Sequence, residues 1–273
     1  MFVQARRFIQ KPIGAFLEGA VHALRSSRGA AHAQQVYRAV RQSSLYDHVL
    51  GMYRVNVPLE AESFEIGRSR VFAPGWLENE SIFLHMHYKF LLETLRSGLA
   101  AEFFDDLRTG LVAFHSPQTY GRSPLENSSF IASSRFRDPK AHGVGFVARL
   151  SGATAEWISM VLHMGLGGTP FRVVDGALRF EPSPLLVDWL FTTIAADGFD
   201  ANSFGFKLFS HTWIVYVNPT RGATFGSSPV TPRAFELHYT DGRLAEHAGA
   251  WLPEAMALEL RAQKLARLTI RLA

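Results

Sequence analysis

The sequence predicts an α+β fold: helical hairpins up to about residue 168, then antiparallel β-structure to the end. Three observations carry this. Five segments before Pro170 repeat apolar residues at three- and four-residue spacing, whereas the segments after it alternate or run in short apolar blocks, the period of strands. Asp175-Gly176 separates two such blocks, Phe171-Arg172-Val173-Val174 and Ala177-Leu178-Arg179-Phe180, and this is the chemistry of a tight hairpin turn. The stretch from Ile82 to Leu95 is apolar almost all round, which places a helix inside a core and not on a surface.

The elements follow in order. Ile13, Phe16, Leu17, Ala20, Val21 and Leu24 give a helix over 12–26, and Ala33, Val36, Tyr37 and Val40 a second over 30–42. The Ser26-Ser27-Arg28-Gly29 link between them makes an αα-hairpin. Met52 to Val57 reads as a short extended piece stopped by Pro58, and 59–74 as loop. Pro74-Gly75 breaks the chain before the buried helix over 80–96. Asn79 or Ser81 serves as its N-cap, with Glu80 in or beside the first turn, and Ser97-Gly98 closes it. A further helix covers 99–114. His115 to Gly145 is aperiodic, and a loop of that length inside a domain is usually functional. Helix returns at 153–164. Strands follow at 171–174, 177–180, 204–209, 212–217 and 234–239, then a short helix over 253–261 and a closing strand over 265–272.

Composition narrows the class. At 273 residues and 47% hydrophobic the chain can bury a sizeable core, and the absence of cysteine fits a reducing cytoplasm. The net charge of +4 comes from dispersed basic residues, which argues against a nucleic-acid partner and leaves anionic ligands open. No apolar run reaches the roughly 18 residues of a membrane span. The arginine-rich, acid-poor first forty residues have the look of a transit peptide, but an amphipathic structural helix pair is the favoured reading.

Polar residues on the buried helix stand out. His85 is either a hydrogen-bonded core histidine or part of a site. His85-Met86-His87 is not a metal pair, because positions i and i+2 of a helix point roughly 200° apart. Ser151-Gly152-Ala153-Thr154-Ala155-Glu156-Trp157 runs from a loop into a helix start, where free N–H groups and hydroxyls can hold an anion; simple capping by Ser151 or Thr154 explains the same residues.

Glu78-Asn79-x-x-Ile82-Phe83-x-His85 resembles the motif of the cellobiose-phosphorylase-like inverting glycoside phosphorylases. Glu65-Ile66-Gly67-Arg68, Pro74 to Ser81 and Tyr120 to Phe130 are similar to the branch containing β-1,3-oligoglucan phosphorylases. The resemblance runs to about residue 220 and implies a C-terminal portion of a much longer enzyme. It implies the last part of an (α/α)6 toroid over residues 1–168, and a small antiparallel β-region over 169–273. It also implies inorganic phosphate as co-substrate, no other cofactor, and release of glucose 1-phosphate from a β-gluco-oligosaccharide with inversion. By the same resemblance His85, Thr154, Ser151, Gly152 and Arg122 would bind phosphate, although Ala153 intervenes where the family has Gly-Thr adjacent. Glu78, Asn79, Glu126, Asn127 and Ser128 would take sugar hydroxyls, and Trp76 would stack on a sugar or pack in the core.

Inverting phosphorolysis needs one acid to protonate the leaving oxygen, while phosphate takes the place of water. The resemblance places that acid well upstream of the histidine motif, on a stretch with no counterpart after Met1, and no catalytic residue is assigned here. Half a toroid would expose its inner helices, so self-association or an N-terminal part is expected to cover them. A β-glucan hydrolase on the same scaffold and a non-catalytic sugar-binding module remain the alternatives. Linkage and chain length are not legible.

Overall fold

Leu17, Val21 and Leu24 are buried along one face of α1 (Leu17–Arg25), as their spacing requires, and Ala33, Tyr37 and Val40 along one face of α2 (Ala30–Gln42). Gly29, at φ 112°, makes the break between these two helices where a side chain would be strained. The computed structural model describes residues 4, 6–147, 152–195 and 198–273. It divides into two units, residues 1–157 and 158–273.

In the first unit, β1 (Tyr46–Asp47) and β2 (Met52–Tyr53) form a small antiparallel ribbon after the helical hairpin. Two 3-10 turns follow within 59–74. β3 (Ile82–Phe83) then leads directly into α3 (Leu84–Arg96), and α4 (Ala100–Gly110) returns beside it. α3 packs against α1 and α4, and Tyr88, Phe90, Leu91 and Leu92 are fully buried. Each such side chain contributes about 1.5–3 kcal/mol by leaving water. A one-turn α5 (Pro117–Tyr120) and two short strands, β4 (Phe130–Ile131) and β5 (Gly145–Phe146), interrupt the long loop. The strands join β3 in the order β3-β4-β5. The chain enters the second unit within α6 (Ala153–Leu166).

A polar network pins the first unit. Tyr37 Oη and Tyr53 Oη donate to Asp106 Oδ2 at 3.0 and 2.6 Å, and Arg41 pairs with Oδ1. Burial pushes the Asp106 carboxyl up, against the opposing pull of Tyr53 and Arg41. One carboxylate thus ties α2, β2 and α4 together.

The second unit opens with the hairpin β6 (Phe171–Val174) and β7 (Ala177–Phe180), whose register leaves Asp175 and Gly176 as the turn, both with positive φ. β8 (Ser203–Leu208), β9 (Thr212–Val217), β10 (Pro232–Tyr239), β11 (Leu244–Ala248), α7 (Glu254–Arg261) and β12 (Leu265–Leu272) complete it. Their five-stranded sheet has the order β11-β10-β12-β9-β8.

Three expectations are corrected. The first is the fold class: seven helices, a five-stranded mixed sheet and three small sheets make an α+β chain, without an (α/α)6 toroid among the described residues. The first unit holds two helical hairpins where a closed ring needs six, and much of the rest is loop and two-residue strand. α3 has no open inner face, since its side chains are buried except at His85, Lys89 and Arg96. The second is the sheet, which is not wholly antiparallel. β12 inserts between β10 and β9 and runs parallel to β9, because the α7 crossover returns the chain in that direction. The third is the start of the buried helix. Ile82 and Phe83 are captured by pairing with Ile131 and Phe130, so the helix begins at Leu84 and neither Asn79 nor Ser81 caps it. Among the described residues no helix is long and apolar enough to cross a membrane.

Candidate functional site

His85 is the second residue of α3, and β3 aims it outward while Leu84 and Met86 turn into the core. Its imidazole lies against the first turn of α6. A Cβ placed on Gly152 would fall 2.1 Å from His85 Nε2, so only a glycine admits the ring there. Nε2 is 3.4 Å from Glu156 Oε1, and both side chains are largely shielded, at 24% and 17% exposure. Phe83 stands edge-on to the imidazole with centroids 6.3 Å apart.

A second strand of contacts meets the same helix start. Asn127 Nδ2 donates to Thr154 Oγ1 at 3.1 Å, and Tyr88 Oη donates to Asn127 Oδ1 at 3.3 Å. Tyr88 is fixed in turn by accepting from the Val112 N–H at 3.1 Å. Its phenol is pushed up by burial and stays neutral. His85 on α3 and Asn127 in the long loop, 42 positions apart in the chain, therefore both meet the start of α6. The carriers are Gly152, which gives room, and the Tyr88–Asn127 chain, which fixes the Thr154 hydroxyl.

The other residues singled out from the sequence lie elsewhere or are engaged. Arg122 donates to Glu126 Oε1 at 2.7 Å and to the Gly145 carbonyl at 3.0 Å, which anchors the loop to β5. Ser128 is buried, donating to the Phe130 carbonyl and accepting from Tyr120. Glu78 forms a bidentate pair with Arg68, at 2.7 and 2.6 Å. Asn79 Nδ2 donates to the Phe72 carbonyl at 2.7 Å, and its Oδ1 is buried without a partner. Trp76 stacks flat on Phe146 at 3.6 Å and leans on Phe136, so packing accounts for one ring face. Ser151 lies outside the described residues. His87, two residues past His85, faces inward, with Nδ1 accepting from the Tyr53 N–H and Nε2 donating to the Gly110 carbonyl.

Sequence reasoning missed three residues. Glu156 and Tyr88 carried a readable signal: Glu156 is one turn past Gly152 and Tyr88 is three residues after His85 on the same helix, although their contacts are with His85 and Asn127. Glu80 carried none. It sits at φ 55° and is fully buried, with Oε1 held by Arg135 Nε at 3.0 Å and Oε2 without a partner. Burial pushes its carboxyl up, and Arg135 opposes the shift.

Set against known proteins, the sequence matches no family model and no curated protein.

Proposed function

We propose that the chain carries the phosphate-holding part of an inverting glycoside phosphorylase that releases glucose 1-phosphate from β-gluco-oligosaccharides. One observation carries the reading: His85 lies against Gly152, 67 residues further on and two residues before Thr154, so that residues named by separate phosphorylase-like motifs come together at the start of α6. Imidazole, hydroxyl and the N–H groups of a first helical turn are the donor set that an oxyanion takes. Asn127 belongs to this group through Thr154, while Arg122 acts on the loop that bears Asn127.

In this scheme phosphate is the nucleophile and needs no protein base. The chain's residues bind and orient it, and His85 supplies a charge-assisted hydrogen bond. Such a bond contributes on the order of 1.5–3 kcal/mol. Isothermal titration of the chain with inorganic phosphate tests this. His85→Ala is expected to weaken binding roughly ten- to a hundred-fold, with laminari-oligosaccharide binding changed far less. A variant that binds phosphate as tightly as the parent chain refutes the assignment.

A further inference from the structure

The site that this reading assigns to phosphate contains a feature that an anion site does not need: a carboxylate. Glu156 Oε1 lies 3.4 Å from His85 Nε2, where an incoming oxyanion would itself lie. Both groups are mostly shielded from water, so the carboxylate's charge is felt there with little screening. No arginine or lysine is paired with Glu156 in the described contacts; its partner is His85. Lys89, one turn along α3 from His85, is paired with Glu18 on α1 at 3.5 Å. A fully deprotonated anion would enter against this like charge.

We propose that Glu156 selects phosphate by its proton. This rests on the phosphate reading above. Near neutral pH inorganic phosphate keeps at least one P–O–H, whereas sulfate, of almost the same size and shape, has none. A phosphate therefore offers acceptors to His85 and Thr154, and at the same time a donor to the Glu156 carboxylate. Sulfate satisfies the donors and leaves Glu156 facing a second anion with no hydrogen between them. A largely shielded acceptor without its donor, plus like-charge contact, costs enough to separate the two ligands by roughly ten- to a hundred-fold. Glu156 is thus a specificity residue for the co-substrate. It sits on the same helix face as Gly152, one turn on, and so moves with the site's own floor.

The test is calorimetric titration of the chain with phosphate, arsenate and sulfate at one pH and ionic strength. The parent chain is expected to bind phosphate and arsenate, which both keep a proton, at least about tenfold more tightly than sulfate. Glu156→Gln keeps the size of the side chain, removes the charge and offers an N–H₂ donor, so sulfate affinity should rise and the ratio fall towards one. Glu156→Asp should retain discrimination, and circular dichroism of each variant checks that it is folded. Equal binding of phosphate and sulfate by the parent chain, or a ratio unchanged in Glu156→Gln, overturns the role of Glu156 and leaves the phosphate site standing. Failure of the parent chain to bind any of the three anions overturns the phosphate reading itself.

Discussion

At Gly152 a hydrogen stands where any other residue would place a carbon, and that carbon would lie 2.1 Å from His85 Nε2 and 2.2 Å from Cε1. Gly152 does not have a positive φ, so alanine is tolerable to the backbone and objectionable only to the ring. Gly152→Ala is therefore expected to displace the imidazole by an ångström or more, with phosphate affinity falling roughly tenfold or beyond, while the thermal midpoint moves little. An unchanged titration curve would show that the contact between ring and glycine is incidental. His87 makes the opposite case on the same helix. Burial holds its imidazole down at about 3, far below the ordinary value of 6.5, because the ring is enclosed between Tyr53 and Gly110. The unfolded chain then binds a proton that the folded chain refuses between these two values. Stability from this group is fully present above pH 6.5 and is lost as pH falls through the window, by up to about 1.4 kcal/mol per pH unit. Urea denaturation at pH 7, 6 and 5 should show that slope, and His87→Gln should flatten it.

At the scale of elements, short polar ties hold the helices of the first unit in place as much as their apolar faces do. Asp106 receives Tyr37, Tyr53 and Arg41, from α2 and β2, on a carboxylate with no exposed surface. Tyr53→Phe leaves the packing intact and removes the 2.6 Å donor, and hydrogen bonds to charged groups are worth about 1.5–3 kcal/mol. Equilibrium unfolding should show a loss of that size, and a loss below a few tenths would mean that Tyr37 and Arg41 alone satisfy Asp106. Elements were also where sequence pattern served best. The hairpin at Asp175-Gly176 was legible because both turn residues need positive φ and these two tolerate it. The C-terminal end of α3 was legible because Gly98, at φ 82°, lets its N–H reach the Leu95 carbonyl. The N-terminal end was not, because Ile82 and Phe83 fit a strand as well as a helix and their partners are almost fifty residues away.

For the whole molecule, the functional expectation concerns chemistry and not binding. Supplied with phosphate and laminari- or cello-oligosaccharides, the isolated chain is expected to release no sugar 1-phosphate, since no carboxylate near His85 is assigned as the proton donor that inverting phosphorolysis needs. Detection of sugar 1-phosphate in that assay would reverse the division of labour proposed above. What the sequence determined by itself was local: helix and strand periods and the turn residues. Those are set by neighbours within a few positions. Tertiary structure decided the rest. It decided that α3 is enclosed within its own unit instead of lining a ring, and that β12 lies parallel to β9. It also decided that His85 meets Gly152 and Glu156, 71 residues further on, because such contacts depend on which surfaces exclude water together and no local rule encodes that pairing.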